Sequence, residues 1–125
     1  MPADLIYSYT RKQAIADGVL IEVPLSTSKE AGIRYPVAIT SALWESLIKP
    51  TPELEAQGQS FEGRVWDLVF MFALYARTAT SSTLIYECLF QMNPSKEPEL
   101  HKIKAVIGPG DTSDPVITIM LPEED

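Results

Sequence analysis

The chemically versatile side chains of this chain are few and far apart. His101 is the single histidine and Cys88 the single cysteine among 125 residues. Nucleophilic triads and nearly all zinc enzymes need a histidine with partners close by. The neighbours of His101 are Glu97 and Glu99 in a proline-rich loop, with no cysteine in sequence reach. That pattern reads as a histidine at the start of a strand. Cys88 falls on the apolar face of an alternating segment, whereas a reactive thiol needs an electropositive, accessible setting. A lone cysteine also excludes an internal disulfide and a cysteine-cluster metal site, and it fits a reducing compartment. Gly108, Gly110 and Asp111 have the look of a phosphate loop, but a phosphate cradle leads from a strand into a helix. Here Pro109 and Pro115 remove donors and the segment leads into a strand, so it reads as a hairpin connection. No catalytic residue, metal-ligand set or cofactor motif emerges.

What remains is binding chemistry. Arg64 and Asp67 lie three apart beside Trp66. At helical spacing they share one flank, which makes a surface ion pair the plain reading. The alternative is a polar notch in an apolar segment, with Arg64 anchoring another part of the fold or a partner's carboxylate. Trp44 or Trp66 would then supply a hot-spot surface. Tyr35, Arg64 and Asp111 are the residues a small-molecule pocket would use. Glu22, Glu62, Asp67 and Asp111 are available for a carboxylate pair, yet no spacing brings any two of them together.

The element that must position these groups is the stretch Ser60 to Arg77, SFEGRVWDLVFMFALYAR. Ser60 is a natural N-cap, and Glu62 suits the positive end of the helix. From Val65 to Ala76 the only charge is Asp67. The run falls short of the roughly 20 residues that cross a bilayer, so it predicts a core helix with Phe70 and Leu74 buried. Ahead of it, Thr10 and Gln13 form a capping box for a helix over about 11–17, closed by Gly18. Val19 to Val23 reads as a strand stopped by Pro24, a possible fourth member of the sheet. Ile33 to Ile39 contains Pro36, which predicts an edge strand or an extended arm. A second helix, SALWESLIK, ends at Pro50, and a short third one starts at Thr51-Pro52. Leu5 to Tyr9 reads as an extended lead-in.

After Arg77 the period changes from helical to two. Leu84 to Met92, His101 to Ile107 and Val116 to Leu121 are strands joined by turn chemistry. The even-numbered face of the first of them is apolar and is expected to carry the central helix. The fold class is therefore α+β, a helical N-terminal half packed on one face of a small antiparallel meander of three to four strands. Residues 1–125 read as one domain, with a short, solvated acidic tail at 122–125.

Composition narrows the function classes. At 46% hydrophobic and 22% charged the chain is globular. Ten basic against 17 acidic residues give a formal charge of −7. That balance argues against binding nucleic acid or an anionic membrane. No basic start followed by an apolar run appears, so a soluble cytoplasmic protein is expected.

The segments YTRKQAIADGVLIEV, AGIRYPVAIT, GRVWDLVFM, KAVIGPGD and PVITIMLPEED, in that order and spacing, resemble DUF6573, a family of small bacterial proteins of unknown function. The resemblance covers nearly the whole chain and is least distinctive over 49–59 and 93–100. It implies no activity, cofactor or catalytic residue. It does imply a setting, because members often occur on plasmids, phages and other mobile elements, where small acidic proteins work by binding other proteins. A non-enzymatic accessory or counter-defence factor with a protein partner is the expectation that follows. One special case is an acidic surface imitating nucleic acid. The rival class is a small-molecule-binding domain or small enzyme with a pocket between the central helix and the sheet.

Overall fold

A computed structural model describes residues 9–125, so most of the expected lead-in over 5–9 lies outside the described residues. The elements run α1 (Arg11–Ala16), β1 (Leu20–Glu22), α2 (Leu25–Glu30), β2 (Val37–Thr40), α3 (Ser41–Leu43), a π-helical turn (Trp44–Ile48), α4 (Pro52–Ala56), α5 (Phe61–Ala76), β3 (Thr83–Phe90), β4 (Glu99–Pro109) and β5 (Pro115–Met120). Local signals placed most of these ends. Thr10 and Gln13 close the capping box of α1, and Gly18 follows it at φ +79°, a conformation that costs other residues dearly. Ser60 Oγ accepts from the Gly63 N–H at 3.1 Å to start α5. Among the described residues no helix is long and apolar enough to cross a membrane.

The sheet differs from the expected meander. It has five strands in the order β1-β2-β5-β4-β3. The antiparallel pair β1–β2 and the antiparallel meander β3–β4–β5 meet along a parallel seam, where Val37 pairs with Ile117 and Ile39 with Ile119. The sheet is therefore mixed. Pro36 misled the sequence reading because it lies just before β2 rather than within it. Its carbonyl still accepts from the Ile117 N–H at 2.9 Å, and the residues after it carry the ladder. Val37, Ala38 and Ile39 are buried in the middle of the sheet. A continuous apolar run of this kind marks a strand covered on both faces.

Both faces are indeed covered at this end. The main core lies between the sheet and the α3–α5 layer, with Leu43, Ile48, Leu68, Val69 and Phe72 against Ile39, Tyr86, Ile103 and Ile119. On the opposite face, α1 lays Arg11 across β5, donating to Thr118 Oγ1 at 2.7 Å and to the Ile117 carbonyl at 2.8 Å. The helices thus do not share one face. The acidic tail also turns back: Glu124 Oε2 accepts from Thr40 Oγ1 and from the Leu121 N–H, each at 2.7 Å. Lys104 Nζ donates to the Glu124 carbonyl.

α5 packs on the even-numbered face of β3, as the alternation implied. Buried Tyr86 fixes the contact by donating to the Leu68 carbonyl at 2.9 Å. The buried stripe of the helix is Val65, Leu68, Val69 and Phe72, the i, i+3, i+4, i+7 pattern of one helix face. A helix apolar all round has only one sheet to lie on, so a second stripe faces outward. Phe70 is 41% exposed and Leu74 37%, which corrects the expectation that both fill the core. The energetic consequence is a contrast along one helix. Phe72→Ala should cost about 3–5 kcal/mol by leaving a cavity. Phe70→Ala should cost less than about 1 kcal/mol, as a surface change does. Urea unfolding of the two variants checks the ranking, and equal losses would contradict it.

Candidate functional site

Among the described residues, Arg64 is the buried charged side chain. It stands one turn into α5, only 3% exposed, and its guanidinium turns inward. Nε donates to the Leu47 carbonyl at 2.8 Å and Nη1 to the Gln91 carbonyl at 2.9 Å. The Phe90 ring lies beneath, 5.1 Å from Cζ, and Met92 Sδ stands 3.5 Å from Nη2. The Leu47 carbonyl belongs to the π-helical turn, which Pro50 prevents from continuing as a helix, so it needs an outside donor. Burial lowers the Arg64 pKa, with Asp67 as the main opposing influence. No ion pair within 4 Å joins the two; among the described residues the lysine or arginine pair with a carboxylate is Lys49–Glu45. The surface-pair reading is thus replaced by the other one, in its intramolecular form. Arg64 anchors the fold and has no free face for a partner.

Asp111 is absorbed in a similar way. Its carboxylate accepts the backbone N–H groups of Arg11 at 2.7 Å and Lys12 at 3.0 Å, which tie the β4–β5 turn to the start of α1. These two donors, with the nearby cationic side chains, hold the carboxyl below the usual carboxylate range. The turn itself is the expected hairpin, closed by Gly110 N–H donating to the Asp114 carbonyl at 3.0 Å. Tyr35 and Asp111 line one open groove of about 620 Å³ together with Arg11, Arg34 and Glu22. Arg64 is not part of it, so the three residues expected to share a pocket do not converge. Glu22 and Asp111 form no bare carboxylate pair, since the Arg11 charge acts on both.

The tryptophans lie on different surfaces. Trp44 packs against Phe61 with ring centroids 5.6 Å apart, and both line a small apolar cavity of about 180 Å³ beside β1. Trp66 stacks on Phe70 at 5.6 Å and 23°, on the outward stripe of α5. Asp67 lines a different groove, along the outer edge of β3, together with Phe70, Tyr75, Glu87, Leu89 and Leu100. Burial raises the Asp67 pKa, opposed by Arg64. Of the residues in this groove, sequence reasoning singled out Asp67 alone as a site residue. The overlooked signal was Leu89, an apolar residue out of phase on the mixed face of its strand.

Among the described residues, no three His, Cys, Asp or Glu side chains cluster as a metal site would require. The Cys88 thiol is buried, and burial pushes its pKa up to about 11, which suits an inert core thiol. His101 Nε2 stands 3.3 Å from Glu99 Oε1 at the start of β4, and its ring tilts against Phe90 with centroids 6.2 Å apart.

The molecule is thus an α+β domain whose inward polar groups serve the fold and whose outward aromatic stripe borders an acidic groove. The chain belongs to DUF6573, a family of unknown function, whose model matches residues 1–125. No curated protein and no solved structure matches it.

Two consequences follow for single substitutions. Arg64→Met removes both carbonyl contacts while keeping a stem of similar length, and should cost about 2–4 kcal/mol, since hydrogen bonds from a charged donor are the stronger kind. Arg64→Lys should recover only part of that, because an ammonium cannot reproduce the planar fork. Denaturant titration gives both values, and a silent Arg64→Met would refute the anchoring role. For Asp111 the folded pKa lies below the unfolded one, so its contribution is complete above the unfolded value, near 3.9. It is lost as pH falls through the depressed folded value. Asp111→Asn should therefore lower the thermal midpoint at neutral pH, with the gap from the parent closing in acid. A gap independent of pH would point to a steric cause.

Proposed function

We propose that this protein works without catalysis, as a binding factor for another protein. The family resemblance suggests an accessory or counter-defence (inhibitor) role in a bacterial mobile element. The observation that supports the binding reading is the continuous apolar surface at the β3 edge. Phe70 and Tyr75 from α5 meet Leu89 and Leu100 from the sheet around one groove, with Asp67 and Glu87 among them. Single exposed apolar residues are ordinary, whereas a contiguous set rimmed by charge is the mark of an interaction surface. Aromatic residues also dominate the energetics of such surfaces.

The ligand-binding reading has weaker support. The cavity beside Trp44, at about 180 Å³, is smaller than the roughly 300–1,000 Å³ of small-molecule sites. In the larger groove, Arg11 and Asp111 are already engaged within the fold.

Affinity capture from a bacterial extract, read by mass spectrometry, tests the proposal. The parent should retain a specific protein that the double variant Phe70→Ser with Leu89→Ser loses at an unchanged thermal midpoint. Identical captures from parent and variant would remove the support this surface gives.

A further inference from the structure

The groove at Phe70 and Tyr75 runs beside an unpaired strand. β3 is an edge of the sheet, and its eight residues pair on one side only, with β4. The register fixes which backbone groups are spent. The Ile107 N–H donates to the Ser82 carbonyl at 2.8 Å, so Ser82 and Ile107 form a hydrogen-bonded pair. Pairs alternate in an antiparallel ladder. Leu84, Tyr86, Cys88 and Phe90 therefore face β4, while the N–H and C=O groups of Ile85, Glu87 and Leu89 point outward. Among the described residues no strand or backbone donor meets them. The one contact is from Cys88 Sγ to the Leu89 carbonyl, a long 4.0 Å.

Proteins ordinarily blunt a long edge with proline, a bulge, a lysine or a very short strand. The opposite edge of this sheet follows that rule, since β1 has three residues. β3 has no proline or lysine, Glu87 is its one charge, and its pairing with β4 is unbroken from Thr83 to Phe90. Its outer face presents Ile85 at 49% and Leu89 at 57% exposure, with Leu100 opposite Leu89 at 58%. Between Ile85 and Leu89 stands Glu87, and Asp67 borders the strand from α5. Glu87 makes no ion pair within 4 Å, not even with its cross-strand neighbour Lys102, and Asp67 makes none either.

We infer that β3 accepts an extended segment of a partner protein as a sixth strand. The segment alternates apolar residues with lysine or arginine, so that its cations share the face of Glu87. Its backbone would complete the ladder at Ile85, Glu87 and Leu89, the mode by which strand-adding domains gain affinity. Its apolar side chains would lie on the α5 face over Phe70 and Tyr75, while the stems of its cations run along Leu89. A second copy of this chain fits less well. Symmetric pairing through β3 would bring the Glu87 carboxylates of both copies onto one face, on molecules of formal charge −7. The inference rests on the protein-binding reading and adds the strand, the register and the charge of what is bound.

The test uses the full chain labelled with nitrogen-15 and a synthetic octapeptide of alternating valine and lysine. Controls are the same peptide with glutamate for lysine, and the lysine peptide N-methylated at alternate residues. The lysine peptide should shift the amides of Ile85, Glu87 and Leu89, and neither control should do so. Glu87→Gln should weaken it about threefold to fivefold, as loss of one exposed ion pair does. Glu87→Lys should transfer preference to the glutamate peptide. Leu89→Pro removes only an outward donor, so it should abolish binding and keep the β3–β4 ladder. If that variant unfolds, the N-methylated peptide still decides.

Three results would overturn the inference. One is equal binding of the lysine and N-methylated peptides. Another is a shift of these amides with protein concentration alone, which assigns the edge to a second copy. The third is insensitivity to peptide combined with a change on deleting residues 1–8, which assigns it to the chain's own start. Specific capture of a protein that survives Leu89→Pro would sink the strand inference and leave the binding reading standing.

Discussion

One buried cation holds the ends of three elements in place. Arg64 issues from the first turn of α5 and reaches the Leu47 carbonyl of the π-helical turn and the Gln91 carbonyl just beyond β3. Each acceptor lies where regular structure stops, so neither has a partner of its own element to turn to. Leaving such groups unpaired under cover would cost on the order of 1–3 kcal/mol each. A guanidinium suits the task because its fixed fork serves several acceptors at once and stays charged throughout. The apolar ring of Phe90 completes the enclosure at 5.1 Å. The position of α5 over β3, and hence the groove between the helix and the strand edge, depends on this contact.

Much of the architecture could be read from local chemistry. The capping box at Thr10, the glycine after α1, the serine ahead of α5 and the alternation of β3 each act over a few residues, and each placed an element close to where it lies. The parallel seam between β2 and β5 could not be read this way. Nothing local in VAIT or PVITIM states that two segments so distant will lie side by side, and Pro36 pointed toward an edge. Periodicity also fails on α5, where apolar residues occupy every face. The sequence cannot tell the stripe of Phe72 from that of Phe70, because only the packed sheet decides which is covered.

The candidate site was legible in part for a related reason. Residue type flagged Arg64 and Asp111 as possible binders, and both do bind, but to this chain's own backbone. Charged groups in an apolar setting are costly unless matched, so the fold tends to use them itself. The residues with free surfaces are less conspicuous in type. Leu89, Leu100 and Phe70 carry no chemistry beyond area, and their significance comes from lying around one strand edge.

The place of β5 also has a bearing on how the molecule comes to exist. It is the last strand of the chain, yet it occupies the centre of the sheet, between β2 and β4. Ile117 lies 80 residues after its partner Val37. The two halves of the sheet therefore share no backbone ladder until the C-terminal segment has been synthesised. Contacts of such long sequence separation slow folding, since the intervening chain must be ordered before they form. Without β5, β2 has a strand neighbour on one side only, β1. The sheet becomes continuous only when β5 takes its place between β2 and β4.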